Sequence, residues 1–152
     1  MNFEILSKIK NPADIKSLSY DSLRDLAEEI RYKLIETVSE NGGHLAPNLG
    51  VVELTIAMHR VFDSPADQFV FDVGHQCYTH KLLTGRYDQF STLRTKGGIS
   101  GFCRPTESEH DPFFSGHSGT SVSAGLGLAE ANRISGKNNR VITVIGDGSF
   151  TG

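Results

Sequence analysis

The chain has 152 residues, a formal net charge of −3, and 38% hydrophobic and 22% charged residues. These values fit one globular domain and argue against a nucleic-acid or anionic-membrane surface. No apolar run approaches the roughly 20 residues of a transmembrane helix, and the first ten residues lack the apolar core of a signal peptide. Because Cys77 and Cys103 are too few for a disulfide framework, we expect two reduced thiols and a cytoplasmic protein.

The first part of the chain is predicted to be helical. Apolar residues recur at intervals of three and four from Leu18 to Val38, Ser19 is a suitable N-cap, and Asn41-Gly42-Gly43 ends the helix. A second helix is predicted to begin near Asn48, to run through VVELTIAMHRVF and to stop before Pro65.

The remainder of the chain predicts an α/β arrangement. Residues 69–73 and 141–145 favour short buried strands, and residues 120–134 favour a helix whose Ala and Gly residues allow close packing on a sheet. HKLLTGR predicts a short helix closed by Gly85, and residues from about 88 to 118 predict a long irregular loop. Strand, crossover helix and strand are typical of a parallel sheet flanked by helices.

Glycine turns lie next to these strands and the crossover helix. Gly74-His75 follows the first strand, Gly146-Asp147-Gly148 follows the second, and Gly116-His117-Ser118 precedes the helix. Ligands gather at the carboxyl ends of parallel strands, and a helix N-terminus favours an anion. The turns therefore suit a phosphorylated ligand with a divalent metal, in which Asp147 is a metal ligand and glycine N–H groups contact phosphate oxygens.

Structural interpretations of the same residues are also open. A single GDG is more often an ordinary turn in which Asp and Gly satisfy their own backbone. Three histidines directly follow a glycine and are as often structural as functional: His44, His75 and His117. Cys77 is expected to be a small buried residue rather than a reactive thiol. Of the other histidines, His59 is expected to be structural, His80 to open a short helix and His110 to be solvated.

Five sequence blocks carry a resemblance to a known family. In order, they are GGHLAPNLGVVELTIAMH, FDVGHQCYTHKLLTGR, GGISGFCRPTESEHD, GHSGTSVSAGLGLA and VIGDGSFTG. Their order and spacing resemble the 1-deoxy-D-xylulose-5-phosphate synthase family over essentially the whole chain, whereas ordinary transketolases have looser versions. The resemblance implies that residues 1–152 are the amino-terminal part of a thiamine-diphosphate-binding, transketolase-like domain, truncated after the GDG turn.

The resemblance also implies an activity. The family condenses pyruvate with D-glyceraldehyde 3-phosphate and releases CO₂, with thiamine diphosphate and Mg²⁺ as cofactors. The product feeds isoprenoid, thiamine and pyridoxal synthesis. The family implies a homodimer that binds neither nucleic acid nor membrane.

The same resemblance implies roles for individual residues. Asp147 matches the first metal ligand of the thiamine-diphosphate motif, and Gly148 and Ser149 match the backbone that touches the diphosphate. His75 matches a histidine near the reactive end of the cofactor, and His44 matches one that moves protons on the substrate side. A further loop matches a cofactor contact and consists of Gly116, His117 and Ser118.

Four positions depart from the family's usual residues without removing a proposed ligand: Pro47, Cys77, Thr79 and Gly119. In the family's motif a second metal ligand, an asparagine, follows GDG by about 25 to 30 residues and is not among the 152 residues. The metal needs about six oxygen ligands, and Asp147 is one of them. We therefore expect the isolated chain to be inactive. The alternatives are a non-catalytic truncated or split-gene module that pairs with a partner chain, and another transketolase-type enzyme.

Overall fold

The structure is a computed structural model that describes residues 3–151, and the chain divides into two compact units. The helical unit combines the segment that ends at Asp63 with Gln76–Gly101. The strand unit combines Ser64–His75 with the segment that begins at Phe102. Helices together with a pair of parallel strands confirm the predicted α/β class. Within residues 3–151, no helix combines the length and the apolar character needed to cross a membrane.

The longest helix of the helical unit is α1, Tyr20–Asn41. Ser19 caps it as predicted, because its hydroxyl oxygen accepts a hydrogen bond from the Ser22 N–H at 3.1 Å. Gly42, with a φ of 72°, ends the helix in a conformation that glycine adopts without strain. The predicted apolar face is buried and includes Leu26, Ala27, Ile30, Leu34 and Val38.

Shorter helices complete the helical unit. They are α2 (Leu45–Leu49), α3 (Val52–Val61), α4 (Tyr78–Lys81) with the helical turn Leu82–Arg86, and 3₁₀ helices at Leu6–Lys8, Pro12–Ile15 and Tyr87–Thr92. The predicted start of the second helix near Asn48 is wrong. Asn48 lies in α2, and Gly50 at the end of α2 separates it from α3.

The strand unit is built on two parallel strands, β1 (Gln68–Phe71) and β2 (Val141–Val144). Their register aligns Gln68 with Val141 and Phe71 with Val144. Between them in sequence lies α5, Ser121–Ile134, which packs on both strands, and β2 is followed by the short helix α6, Asp147–Phe150. This is the predicted strand, helix and strand order.

Close packing of α5 on β2 depends on a glycine of the helix, Gly125. A Cβ atom at Gly125 would lie 3.2 Å from Thr143 Cγ2, whereas a Cβ at Gly127 would meet nothing within 4 Å. The structure therefore confirms that small residues let this helix approach the sheet, and it assigns that role to Gly125 rather than to Gly127.

Some details of the predicted strands are wrong. β1 ends at Phe71, before the predicted Val73, because Val73 has a φ of 58° and leaves the extended conformation. β2 is half-exposed rather than buried, and Thr143 is exposed. The reason is that, among residues 3–151, β2 has β1 as its single strand neighbour and α5 on it.

Residues outside the site have mostly the expected roles. Cys77 and Cys103 are free and buried. His59 and His80, in helices α3 and α4, are both fully buried, and their ring nitrogens lie 3.0 Å apart, which fits structural roles. His110 is half-buried rather than solvated, since its Nδ1 lies 2.8 Å from the Ser64 hydroxyl.

We expect Gly127→Ala to stabilise the strand unit by about 0.5–1 kcal/mol, because alanine favours a helix and its Cβ meets open space. Gly125→Ala should stabilise the strand unit less than Gly127→Ala, or destabilise it, because the added Cβ would press against Thr143. Denaturant unfolding of the two variants checks this order. Equal stabilisation by both would contradict the proposed role of Gly125.

Candidate functional site

The carboxyl ends of β1 and β2 define one edge of the strand pair. Phe71 and Val144 are partners in the parallel register, and the Asp72 N–H extends the ladder by donating to the Val144 carbonyl at 2.8 Å. The turn that contains His75 leaves β1 at this edge, and the turn that contains Asp147 leaves β2 at the same edge. These residues, far apart in sequence, therefore follow strand ends that lie side by side.

The backbone turns sharply just before His75. Val73 and Gly74 have φ values of 58° and 83°, both in the left-handed region. For a β-branched residue such as Val73 this conformation is unfavourable, by about 1–3 kcal/mol, so the surrounding structure must hold it. His75 itself is half-buried.

The loop Gly116–Ser118 is held next to the end of β1 by its neighbour Ser115. The Ser115 hydroxyl donates to the Phe71 carbonyl at 3.1 Å, and its N–H donates to the Cys103 carbonyl at 3.2 Å. The contact requires glycine at position 74, because a Cβ there would lie 2.5 Å from Ser115 Cβ. His117 and Ser118 are exposed in this loop.

The carboxylate of Asp72 lies at the N-terminus of α5, where the sequence predicts an anion. Asp72 is 1% exposed, and its two oxygens accept the N–H groups of Gly119 and Ser121, each at 3.1 Å. Burial opposes ionisation, but the nearby polar groups of Ser121, Gly119 and Ser149, including the two N–H hydrogen bonds, outweigh it and lower the pKa of the Asp72 carboxyl. The anion bound by this helix end is therefore part of the protein.

The GDG turn presents an open surface. Asp147 is exposed, and Cβ atoms at Gly146 and Gly148 would meet nothing within 4 Å. Ser149 is half-buried, and its N–H donates to the Gly146 carbonyl at 3.0 Å. An exposed carboxylate between two glycines can bind a divalent cation, since oxygen is the ligand that such ions prefer.

His44 belongs to the helical unit, where it is exposed and precedes α2. Its carbonyl accepts a hydrogen bond from the Asn48 side-chain amide at 2.6 Å, and the Asn48 side-chain oxygen accepts the Tyr78 N–H at 2.9 Å. Gly43, with a φ of 145°, has no room for a side chain, because a Cβ would lie 2.9 Å from the Tyr78 hydroxyl. Asn48, fully buried, thus fixes the turn that carries His44.

Sequence reasoning did not single out Asp72 or Asn48. The available signal for Asp72 is an acid placed directly after an apolar strand, and for Asn48 an amide within an apolar helical stretch. Neither signal identifies the hydrogen-bond partners, because they are distant in sequence. Gly119 and Ser121 lie 47 and 49 residues after Asp72, and Tyr78 lies 30 residues after Asn48.

Comparisons with known proteins point to one family. A family model described as 1-deoxy-D-xylulose-5-phosphate synthase matches residues 6–152. In Geobacter sulfurreducens, 1-deoxy-D-xylulose-5-phosphate synthase 2 is 61% identical over 148 residues, which are 97% of this chain and 24% of the relative. The synthase 1 of the same species is 62% identical over 148 residues, 97% of this chain and 23% of the relative. The synthase of Pelotomaculum thermopropionicum is 60% identical over the same length, with the same shares.

The chain therefore spans about a quarter of the length of the curated relatives that it matches.

We expect Asn48→Ala to destabilise the helical unit by about 2 kcal/mol or more, because it leaves the Tyr78 N–H and the His44 carbonyl without this partner. Asn41→Ala is the matched control. Its side chain likewise makes two hydrogen bonds to the backbone, in this case by donating to the Ser91 and Leu93 carbonyls, but Asn41 is half-exposed and water can replace it. Denaturant midpoints measure both losses, and a loss at Asn48 no larger than at Asn41 would contradict its role.

Proposed function

Because the chain belongs to the 1-deoxy-D-xylulose-5-phosphate synthase family, we propose that it forms the amino-terminal part of a thiamine-diphosphate-dependent transferase. The proposed reaction joins pyruvate to D-glyceraldehyde 3-phosphate with loss of CO₂. The observation that supports this most is that the turns of His75 and Asp147 leave the same edge of the β1–β2 pair. A cofactor that spans a metal-bound diphosphate and a reactive ring needs both kinds of group along one edge.

The residues of the GDG turn fit a Mg²⁺–diphosphate group. Asp147 offers an exposed carboxylate oxygen, and the open space at Gly146 and Gly148 allows a bulky ligand to approach the backbone. In this proposal Asp147 is a metal ligand, and the backbone of Gly148 and Ser149 faces the diphosphate. The loop Gly116–Ser118 is a further cofactor contact.

The two proposed catalytic histidines, His75 and His44, hold and move protons. Imidazole can donate or accept a proton near neutral pH, which suits proton transfer at a substrate hydroxyl within hydrogen-bond reach. The cofactor, when bound, supplies the electron sink for making and breaking carbon–carbon bonds. We propose that His75 acts near the reacting carbon and His44 on the substrate side. The Asn48 and Tyr78 contacts to its turn would give His44 a fixed backbone position.

The biological setting belongs to the same proposal. The product would supply isoprenoid precursors as well as thiamine and pyridoxal synthesis. Homodimeric assembly and a cytoplasmic location complete the proposal and follow from the resemblance to the family.

A hybrid enzyme tests the proposed function. Residues 6–152 replace the matching segment of the Geobacter sulfurreducens synthase 2, whose 61% identity favours correct folding. With thiamine diphosphate and Mg²⁺, we expect the hybrid to form 1-deoxy-D-xylulose 5-phosphate from pyruvate and D-glyceraldehyde 3-phosphate, measured by chromatography of the product. A folded hybrid that binds no cofactor and forms no product would contradict the proposal and favour a non-catalytic module.

Two substitutions in the hybrid separate metal binding from proton transfer. Asp147→Ala should weaken Mg²⁺-dependent cofactor binding by about tenfold or more, because it removes a charged ligand. His75→Ala should instead lower kcat by about a hundredfold or more, the usual effect of losing a general acid–base group, with a smaller change in cofactor affinity. Asp25→Ala, at an exposed position of α1, is the control for charge removal. Normal cofactor affinity after Asp147→Ala would refute the metal assignment.

We expect the 152-residue chain by itself to form no detectable product, even with excess cofactor and Mg²⁺. The chain spans about a quarter of the length of the synthases that it matches, and Asp147 is the one protein ligand that it is proposed to offer the metal. The assay is the same product measurement, run beside the hybrid at equal concentration. Turnover by the isolated chain at the rate of the hybrid would show that these residues suffice.

A further inference from the structure

Asp72 joins three segments of the strand unit at the edge where the proposed site lies. Its N–H donates to the Val144 carbonyl at the end of β2, while its carboxylate accepts the N–H groups of Gly119 and Ser121 at the start of α5. One buried residue thus connects the end of β2, which leads into the GDG turn, to the segment that follows the loop Gly116–Ser118.

Each contact is adjacent to a residue of the proposed site. Gly119 directly follows the loop Gly116–Ser118, so fixing its N–H fixes the end of that loop. Val144, whose carbonyl accepts the Asp72 N–H at 2.8 Å, lies two residues before Gly146, so this bond fixes the segment that leads into the GDG turn. Asp72 itself precedes His75 by three residues, through the left-handed turn at Val73 and Gly74.

A carboxylate satisfies both donors at this position. The Gly119 N–H points at one oxygen of Asp72 and the Ser121 N–H points at the other, and both oxygens of a carboxylate accept hydrogen bonds. An asparagine would replace one oxygen with an NH₂ group, which would face N–H donors. The N-terminal dipole of α5 further favours a negative charge at this point.

We propose that Asp72 is a positioning residue, whose carboxylate holds the loop Gly116–Ser118 at the edge where β1 and β2 end, beside the GDG turn, in the arrangement that binds the diphosphate end of the cofactor. This inference rests on the proposed function, because it assigns Asp72 a role in that same site. Asp72 acts through the N–H groups of Gly119 and Ser121 rather than through contact with the cofactor.

Asp67 provides a matched control. Like Asp72 it is a carboxylate of the strand unit that accepts a backbone N–H from a segment distant in sequence, in this case from Arg140 just before β2, at 2.8 Å. It precedes β1, whereas Asp72 follows β1, so it lies at the opposite end of the pair. Asp67→Asn therefore removes a comparable structural charge without affecting the edge that carries the proposed site.

The first experiment titrates the hybrid enzyme with thiamine diphosphate in the presence of Mg²⁺. We expect Asp72→Asn to raise the cofactor dissociation constant by about tenfold or more, the effect of losing hydrogen bonds to a charged acceptor. At saturating cofactor, kcat should fall much less than the affinity. Asp67→Asn should keep the affinity of the unsubstituted hybrid. An Asp72→Asn hybrid with the affinity of the Asp67→Asn hybrid would overturn the inference.

The second experiment measures amide hydrogen exchange in the cofactor-free hybrid. Asp72→Asn should speed exchange at Gly119 and Ser121 by about tenfold or more while leaving Arg140 unchanged, and Asp67→Asn should do the reverse. Unchanged exchange at Gly119 and Ser121 would show that Asp72 does not hold the loop. This readout needs neither cofactor nor turnover.

If Asp72→Asn fails to fold, Asp72→Glu keeps the inference testable. It retains the negative charge but moves the carboxylate oxygens by one methylene from the positions that accept the N–H groups of Gly119 and Ser121, so we expect cofactor affinity to fall about fivefold or more. Normal affinity together with fast exchange at Gly119 and Ser121 in this variant would overturn the inference. Failure of the unsubstituted hybrid to bind cofactor would instead refute the proposed function, and the role of Asp72 with it.

Discussion

The parallel pairing of Gln68–Phe71 with Val141–Val144 is the constraint on which the strand unit depends. It brings together two segments that are separated in sequence by a long loop and by α5. Because the strands run in the same direction, whatever follows either of them leaves at the same edge. The turn of His75 and the turn of Asp147 are neighbours for this reason, and no direct contact between the two turns is needed to explain it.

Buried polar side chains join segments that the backbone hydrogen bonds of the strands and helices do not connect. In the strand unit Asp72 binds the N-terminus of α5, and in the helical unit Asn48 bridges the His44 turn and the start of α4. Glu29 of α1 acts similarly, since its carboxylate accepts the N–H of Leu6 at 2.7 Å. Such groups are costly to bury unless they are hydrogen-bonded, so each of them restricts its surroundings to few arrangements.

Local signals in the sequence predict those parts of the fold that depend on local interactions. Ser19 and Gly42 bound α1 because a cap needs only the backbone of the next few residues. Asn48 misled the prediction of a helix start, because its amide bonds Tyr78, 30 residues away. His110 was expected in solvent, but its partner Ser64 lies 46 residues earlier. The role of Asp72 was not predicted for the same reason, because the N–H groups that its carboxylate accepts belong to Gly119 and Ser121, which are distant in sequence.

At the N-terminus of α5, where the sequence predicts an anion, a carboxylate of the protein already accepts backbone N–H groups. The N–H groups of Gly119 and Ser121 point to Asp72, so they are engaged before any phosphate approaches. Under the proposed function, a diphosphate at this edge would add negative charge beside an anion that is already buried, and like charges repel strongly where water is excluded. A divalent cation on Asp147 would offset that repulsion. The same arrangement explains why an exposed carboxylate in the GDG turn suits this edge: it attracts the metal, while the buried carboxylate holds the loops.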